Sequence, residues 1–303
     1  MATRADIEST YNYMDRIWRL SMGDHADITC ALYGGHYQKS LEQAQADKHA
    51  YILDQIQFRP GGRVLDVGCG WGGFLLAVRE RGGVGVGLTL STRQAEHCRR
   101  VGLDVRLMDW NEVEPAALGG FDAVVCVGAL EHFCSEGAYQ AGLQEQIYHR
   151  FFALCHHLLR AHARLFVQTM LWGAIVPDPT AITLSAPPDS DDYRLAVLRR
   201  FYPGSWLPTS LRQLERSAAP YFCLVLHSNG RQDYVRTMQE WGSRLRRFTW
   251  RKVLAVVRLA PWLLMDRDLR YRVELVRGHY HQRCFERQIM DHERIVFEHS
   301  DAA

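Results

Sequence analysis

Apolar and polar positions between residues 63 and 172 follow a repeating order. Short apolar segments, typical of buried strands, alternate with segments that have the periodicity of amphipathic helices. Strands are predicted at Arg63–Gly68, Val84–Leu90, Asp104–Met108, Asp122–Val127 and Arg164–Met170, and helices at Leu75–Arg81, Thr92–Val101 and Gln144–Leu159. This alternation indicates a parallel sheet with helices on both faces, and therefore a doubly wound, Rossmann-like α/β core.

The flanking segments predict a helical cover and a helical cap. Periodicity at Ala5–Leu20 and Ser40–Gln57 predicts N-terminal helices, whereas Gly173–Asp192 is rich in Pro, Ser and Asp and predicts a long loop. The remaining elements are strands at Tyr221–His227 and Glu286–Phe297, with helices at Arg231–Arg247 and Trp250–Gln282 between them. We therefore expect a mostly parallel sheet of seven strands and a cap inserted late in the chain. The expected divisions are an N-terminal cover (1–60), a core (61–172), a lid loop and cap (173–285), and a final strand and tail (286–303).

Composition and charge exclude several classes of protein. The 303 residues, 47% of them hydrophobic, can fill the core of one large domain. A net charge of +2, with no run of five or six like charges, argues against a nucleic-acid partner. Asp6 and Glu8 lie where a signal peptide would be apolar, and the apolar stretch from Val253 to Met265 is interrupted by Arg258 and Pro261. We expect no transmembrane helix and a cytoplasmic protein.

The eight cysteines show no close pairing, which is typical of reduced thiols in a cytoplasmic protein. The nearest approach to a metal-binding pattern is His279, His281 and Cys284, with His156 and His157 elsewhere. A structural zinc site would need a second ligand pair at a suitable spacing. We predict no metal site, and expect these side chains to lie on the polar faces of two helices.

The strongest motif is a glycine loop that joins the first strand of the core to the following helix. It extends from Asp66 to Gly73, and its glycines at 68, 70 and 73 also satisfy the G-x-G-x-x-G pattern of dinucleotide enzymes. Those enzymes usually place an acid about 20 residues further on, to bind the ribose. Here the second strand ends in Leu88-Thr89-Leu90-Ser91, and no carboxylate follows until Glu96. The missing acid and the position of Asp66, two residues before the first glycine, favour S-adenosylmethionine over a nicotinamide or flavin cofactor.

Seven segments spread along nearly the whole chain carry a family resemblance: Tyr11-Asn12, Ile28 to Tyr33, Ser40 to Lys48, Val64 to Gly73, Gly87 to Ser91 with Gln94, Val127 to Phe133, and Phe201 to Pro208. In these segments the sequence resembles the cyclopropane fatty acid synthase family, which includes mycolic acid methyltransferases. The resemblance implies a class I methyltransferase that uses S-adenosylmethionine as its methyl donor.

The resemblance also implies where that donor binds. Tyr11, Thr29, Gly68 and Gly70 would contact its methionine part. Cys69 in the same loop is a further candidate, and the Asp66 carboxylate can either order the turn or meet the positive amino group of the donor. Thr89, Leu90 and Gln94 would surround the ribose, and Trp110, directly after Asp109, would stack on the adenine. Trp110 has an alternative interpretation as a core aromatic residue.

Family members that act on alkenes use a bound bicarbonate to remove a proton from a carbocation. Cys30, Glu131 and Tyr234 correspond to the residues of that pocket, but Gln168 stands where the family usually has histidine. This departure predicts weak binding of bicarbonate, or none. Glu131 and His132 follow the fourth strand, where ligands gather in such sheets. Glu131 is expected to act as a base or to orient the substrate, and His132 either takes part in the site or packs in the interior.

The resemblance constrains the methyl donor more than the acceptor. The leading hypothesis is a C-methyltransferase, or a cyclopropane-forming relative, that acts on an unsaturated lipid or a similarly apolar small molecule. An N- or O-methyltransferase of a small metabolite is the alternative, and a non-catalytic cofactor-binding or lipid-binding protein is the third. The basic segment from Arg244 to Lys252, before an apolar helix, is compatible with peripheral membrane contact. The sequence does not determine the oligomeric state, and a homo-oligomer is one possibility.

Overall fold

A single seven-stranded sheet organises the fold. The computed structural model describes Met22 and residues 27–300. The strands are β1 (Arg63–Val67), β2 (Val84–Thr89), β3 (Asp104–Leu107), β4 (Phe121–Val127), β5 (Leu159–Trp172), β6 (Phe222–Asn229) and β7 (Met290–His299). Their order is β3-β2-β1-β4-β5-β7-β6, and the pairs from β3 to β5 are parallel, whereas β7 is antiparallel to both β5 and β6. The predicted mostly parallel, doubly wound sheet is confirmed.

Helices lie on both faces of this sheet and form the cap. Before and within the core they are α1 (Leu41–Gln55), α2 (Gly73–Glu80), α3 (Thr92–Arg100), α4 (Pro115–Leu118), α5 (Glu136–Gln140) and α6 (Gln144–Leu158). After the core come α7 (Asp191–Phe201), α8 (Leu211–Ala218), α9 (Arg231–Arg246), α10 (Trp250–Met265), α11 (Leu269–Arg277) and α12 (Tyr280–Glu286). The last four helices are inserted between β6 and β7, as the sequence predicts.

The central strands are buried on both faces, because α1 and α2 cover one side and α6 covers the other. Helix α6 places Phe151 and Phe152 against β4 and β5 in the largest apolar cluster. On the opposite face, Ile52 of α1 and Phe74 of α2 pack against the same strands. This double cover explains why the core strands are continuous apolar segments and do not alternate between apolar and polar residues.

The boundaries of the cap differ from those predicted. The expected single helix Trp250–Gln282 is divided into α10, α11 and α12 by a turn at residues 266–268 and by His279, which has a φ of +50°. The final strand begins at Met290 and not at Glu286, because Glu286 ends α12 and Gln288 turns the chain with a φ of +59°. The predicted strand at Arg164–Met170 is part of a longer β5.

Helices α7 and α8 were not predicted. Each begins at a serine whose hydroxyl accepts a backbone N–H of the first turn, Ser190 from Tyr193 and Ser210 from Gln213. This is a strong local helix-start signal. The predicted loop Gly173–Asp192 therefore ends at Ser190. The predicted helix Ala5–Leu20 lies outside the described residues.

Two further expectations concern cysteines and the membrane. All eight cysteines are free, and seven are buried. Among the described residues, no helix combines the length and apolar character needed to cross a bilayer. His279 precedes α12, and His281 and Cys284 lie within it. The expected polar helix face is wrong for Cys284, which is buried in an apolar cluster. Within the described part of the chain, no three His, Cys, Asp or Glu side chains are grouped to hold a metal ion.

A buried ion pair joins the cap to the sheet. Arg294 of β7 contacts Asp233 of α9 at 3.0 Å, and both side chains are less than a tenth exposed. The same Arg294 guanidinium donates to the carbonyl oxygen of Ala31 at 3.1 Å, and the second oxygen of Asp233 accepts the N–H of Gly34. One interaction therefore connects β7, α9 and the segment before α1.

We predict that Arg294→Ala lowers the free energy of unfolding by about 3–5 kcal/mol, because the Asp233 carboxylate would stay buried without its partner. Urea denaturation followed by circular dichroism measures this. The matched control is Arg231→Ala, which removes a pair with Asp291 on the same two elements, about a quarter exposed, and should cost less than about 1 kcal/mol. Equal losses in the two variants would contradict a special role for the buried pair.

Candidate functional site

The carboxyl ends of β1, β2 and β4 open into a cleft of about 1100 Å³ that is continuous with solvent. Ligands of doubly wound sheets bind at this edge. All but one of the predicted cofactor-binding residues line this cleft: Thr29, Asp66, Gly68, Cys69, Gly70, Thr89, Leu90, Gln94, Asp109 and Trp110. The exception, Tyr11, lies outside the described residues.

The glycine loop passes close to the end of β4. Gly68 has a φ of +85°, and a Cβ atom there would lie 2.4 Å from the Cβ of Ala129. The backbone N–H groups of Gly68 and Cys69 both donate to the carbonyl oxygen of Leu88, at 2.9 Å. Only glycine satisfies both the left-handed backbone and the close contact, so position 68 is fixed by geometry.

Negative charge predominates in the cleft. Lys48 of α1 is buried and contacts Asp27 at 2.7 Å, and His49 contacts the same carboxylate oxygen at 2.9 Å. Although burial alone would raise the pKa of Asp27, Lys48 and His49 hold it well below its usual range. Burial, and then the nearby Asp27 charge, raise the pKa of Asp66 to about 7. The cleft therefore contains the carboxyl groups of Asp27, Asp66 and Asp109 but only one ammonium group, that of Lys48. This composition favours a cationic ligand.

Two polar arrangements shape the far end of the cleft. The hydroxyl of Thr89 donates to the Oε1 atom of Gln94 at 2.8 Å, so the end of β2 is tied to α3. Asp109 caps the turn Trp110–Glu112 by accepting the N–H of Asn111 at 2.9 Å.

Trp110 is buried, and its ring packs against Phe133 at a centroid distance of 4.9 Å. It lines the cleft and also belongs to the main apolar cluster. The two interpretations of Trp110 made from the sequence are therefore compatible.

A second cavity, which is also open to solvent, lies between the sheet and the cap. Its wall is largely apolar and aromatic, and most of it is contributed by β5 and by the elements that follow. The apolar lining residues include Met170, Trp172, Leu195, Leu198, Trp206, Leu207, Met238, Trp241, Leu245 and Leu275. Such a wall suits a long apolar molecule better than a compact polar one.

The two cavities share a boundary. Ile28, Thr29, Gly128 and His132 line both of them. Gly128 has a φ of +69°, and a Cβ atom at that position would lie 2.5 Å from the Cγ2 atom of Thr29. The boundary is therefore thin, and ligands in the two cavities would approach each other here.

Glu131 and Gln168 form the polar part of the second cavity. The Oε1 atom of Glu131 accepts the N–H of Met170 at 2.8 Å, and the Nε2 atom of Gln168 donates to the carbonyl oxygen of Cys30 at 3.1 Å. The other oxygen of each side chain, Oε2 of Glu131 and Oε1 of Gln168, is buried without a hydrogen-bond partner. Burial raises the pKa of Glu131 to about 7, although the Met170 N–H partly offsets the increase.

The remaining candidates also line the second cavity. Burial raises the pKa of the Cys30 thiol to about 12, so it is not a ready nucleophile. Burial lowers the pKa of His132 to about 4, and one ring nitrogen lies 2.8 Å from the hydroxyl oxygen of Ser205. Tyr234 packs against Phe285 at a centroid distance of 4.9 Å. The structure thus places Cys30, Glu131, His132, Gln168 and Tyr234 around one cavity.

Several residues of the two cavities were not singled out from the sequence as site residues. Asp27 comes from a coil segment, and Lys48 and His49 come from α1. Three tryptophans line the second cavity: Trp172 of β5, Trp206 of the loop before α8, and Trp241 of α9. A lysine within an apolar helical face, as at Lys48, signals a buried partner. Nothing local identifies Asp27 as that partner.

Comparison with known proteins agrees with this arrangement. The family model described as mycolic acid cyclopropane synthetase matches residues 1–260. Cyclopropane mycolic acid synthase 2 of Mycobacterium leprae is 28% identical over 254 residues, which cover 79% of each chain. Hydroxymycolate synthase MmaA4 of Mycobacterium tuberculosis is 28% identical over 251 residues, covering 79% of this chain and 77% of that protein.

Solved structures show the same fold. The cyclopropane synthase MmaA2 from Mycobacterium tuberculosis superposes with a TM-score of 0.77 at 23% identity, covering 97% of this chain and 98% of that one. Coclaurine N-methyltransferase superposes with a TM-score of 0.68 at 16% identity, covering 97% and 86%. At these identities the superpositions establish the fold, while the match to the family model establishes family membership. The chain therefore belongs to the mycolic acid cyclopropane synthetase family and is an S-adenosylmethionine-dependent methyltransferase.

Proposed function

We propose that this enzyme transfers the methyl group of S-adenosylmethionine to an alkene carbon of an unsaturated lipid or a similarly apolar molecule. The observation that carries the proposal is the junction of the two cavities at Ile28, Thr29, Gly128 and His132, with carboxylates on one side and a long apolar wall on the other. A sulfonium methyl group is already electrophilic, so the main tasks of the enzyme are alignment and exclusion of water.

In this proposal the donor occupies the cleft at the glycine loop. Gly68, Gly70 and Thr29 adjoin its methionine part, and the Asp66 carboxylate attracts its amino group. Thr89, Leu90 and Gln94 surround the ribose, and Trp110 contacts the adenine. The excess of carboxyl groups over ammonium groups in the cleft supports a ligand that carries a sulfonium charge.

The acceptor would lie in the second cavity with its double bond at the junction. Its π electrons attack the methyl carbon, so a carbon–carbon bond forms as the sulfur–carbon bond breaks. The products of this step are S-adenosylhomocysteine and a carbocation on the acceptor, which the aromatic ring of Tyr234 can stabilise. Loss of a proton from that carbocation gives either a cyclopropane or a methyl-branched alkene.

Glu131 is the proposed base for this proton. Its carboxyl group is buried, has one oxygen without a hydrogen-bond partner, and has a pKa raised to about 7. Such a group accepts a proton efficiently near neutral pH. His132, whose pKa is lowered to about 4, is neutral in this range and orients the junction through Ser205.

Bicarbonate does not fit the residues present. An anion needs hydrogen-bond donors, but Gln168 directs its Nε2 donor to the carbonyl oxygen of Cys30 and keeps an unpartnered acceptor oxygen, as Glu131 does. The Cys30 thiol, which its raised pKa keeps protonated, and the Tyr234 hydroxyl are uncharged donors, and the Glu131 carboxylate in the same cavity would repel an anion. We therefore propose that the Glu131 carboxylate takes the proton directly.

The same two unpartnered oxygens favour one alternative, an N- or O-methyltransferase. An amine or hydroxyl group at the junction would donate to Glu131 or Gln168, while the apolar body of the acceptor filled the cavity. Incubation of the enzyme with methyl-labelled S-adenosylmethionine and a lipid and metabolite extract, followed by mass spectrometry, tests both proposals. A labelled product heavier by one methylene, with the label on carbon, supports the first, and label on nitrogen or oxygen supports the alternative. Failure to label any apolar acceptor would contradict both.

We predict that Glu131→Gln lowers kcat by about 10²–10⁴, because glutamine keeps the bond to the Met170 N–H but cannot take a proton. Steady-state kinetics with the identified acceptor measure this. Glu145→Gln, at an exposed pair with Arg216, is the control and should leave kcat unchanged. Unchanged turnover in Glu131→Gln would show that another group is the base.

We predict that kcat rises with pH through about 7, since the Glu131 carboxyl must be deprotonated to act as a base and burial raises its pKa to about 7. The measurement is a pH profile between pH 5.5 and 8.5 at saturating S-adenosylmethionine, because Asp66 also has a pKa of about 7 and would affect donor binding. A flat profile with a rate-limiting chemical step, established by single-turnover kinetics, would argue against Glu131.

We predict that Gly68→Ala weakens S-adenosylhomocysteine binding by about tenfold or more, because the new methyl group would meet Ala129 and displace the loop that adjoins the ligand. Isothermal titration calorimetry measures the affinity. Gly61→Ala is the matched control: its φ of +83° imposes the same backbone strain, but it has open space around it and does not line the cleft. Equal affinities in the two variants would place the ligand elsewhere.

A further inference from the structure

Apolar side chains are exposed along the part of the cap that contains α10. Phe248 and Trp250 are 72% and 73% exposed, and Leu264 and Met265 are 85% and 79% exposed. Elsewhere among the described residues, Ile175 is the one large apolar side chain with more than three-fifths of its surface exposed. Soluble proteins rarely leave such a concentration of apolar surface without a function.

All the charged side chains in and just before α10 are basic. Between residues 244 and 265 there are six basic residues and no acidic one: Arg244, Arg246, Arg247, Arg251, Lys252 and Arg258. The whole chain has a net charge of only +2, so the excess is local. Arg244 is paired with Glu42 of α1, whereas Arg247 and Arg258 are exposed. Apolar and basic side chains together are typical of a helix that lies in the interface of an anionic bilayer.

The segment also adjoins the second cavity. Gly242 and Leu245 of α9, and Leu275 and Val276 of α11, line that cavity, and α10 connects these two helices. The exposed surface is therefore covalently next to the cap residues that would contact the distal part of the acceptor.

We propose that residues 248–265 dock this enzyme onto the surface of an anionic lipid bilayer, from which a lipid acceptor enters the second cavity between α9 and α11. Trp250 and Leu264 enter the boundary between headgroups and acyl chains, and Arg247 and Arg258 contact lipid phosphates. The docking itself is independent of the proposed function, whereas the entry of a lipid acceptor rests on the proposed function.

A membrane accounts for both properties of the surface. An acidic protein partner would also bury aromatic and apolar side chains, but these four side chains lie at the two ends of α10 and so border its whole length, which suits a flat bilayer. A second copy of this chain would carry the same basic residues, and like charges would face each other across the contact. A bilayer with anionic headgroups complements the apolar and the basic side chains together.

The test is co-sedimentation of the full chain with two kinds of vesicle, phosphatidylcholine alone and an equal mixture of phosphatidylcholine and phosphatidylglycerol. We expect binding to the mixed vesicles that weakens with added salt. Trp250→Glu with Leu264→Glu, and separately Arg247→Glu with Arg258→Glu, should each lower the affinity by about tenfold or more. Ile175→Glu is the matched control, because it places the same charge at an exposed apolar position outside the segment, and should bind as the unmodified protein does.

Three results would overturn the proposal. The first is absence of binding of the unmodified protein to the mixed vesicles. The second is loss of binding in Arg247→Glu with Arg258→Glu but not in Trp250→Glu with Leu264→Glu, which would show that the apolar side chains do not enter the bilayer. The third is a concentration-dependent dimer in gel filtration that Trp250→Glu with Leu264→Glu abolishes. Binding of S-adenosylhomocysteine by each variant verifies that the core is folded. Vesicle binding is measured without turnover. A failure of the docking proposal is therefore distinguishable from a failure of the proposed methyl transfer.

Discussion

The close contact between Gly128, at the end of β4, and the side chain of Thr29 sets the distance between the two cavities. It brings the segment before α1 against the edge of the sheet with almost no intervening space, because a Cβ atom at Gly128 would lie only 2.5 Å from the Cγ2 atom of Thr29. The segment is held there from two sides. Lys48 donates to the Thr29 hydroxyl at 2.8 Å, and Arg294 donates to the carbonyl oxygen of Ala31. The thin boundary between donor and acceptor sites therefore depends on two buried cations on different elements.

Burial governs the chemistry on both sides of that boundary. It raises the pKa of Asp66 and of Glu131 to about 7, and lowers that of His132 to about 4. Asp27 has the opposite shift, because Lys48 and His49 outweigh its burial. The enzyme thus keeps Asp27 ionised, while the charges of Asp66 and Glu131 respond to what binds beside them. A cation in either cavity favours the ionised form of the neighbouring carboxyl group.

Much of the fold could be predicted, and so could the grouping of the glycine-loop residues with Thr89, Gln94 and Trp110 around one cleft, because both depend on local patterns. The strands β1 to β4 are short apolar segments bounded by glycines and polar turns. The spacing of the glycines in the loop after β1 indicates a tight turn with left-handed backbone positions. The acceptor side was less predictable. Its wall collects residues from β5, α7, α9 and α11, and nothing in the sequence indicates that Trp172 and Trp206 pack together at a centroid distance of 4.9 Å. The partner of Arg294 was likewise hidden, since 61 residues separate it from Asp233.

The cap leaves the sheet after β6 and returns at β7, and these two strands are neighbours at the same edge. Its four helices thus form one contiguous excursion whose two ends are fixed a strand's width apart. Provided that Asp233 is kept, because it holds Arg294 and the segment before α1, substitution or shortening of the rest of this excursion changes the wall of the second cavity and leaves β1 to β4 in place. An arrangement of this kind allows new acceptors to evolve around an unchanged donor site, and lends itself to chimeras in which one uninterrupted stretch of a gene is exchanged between relatives.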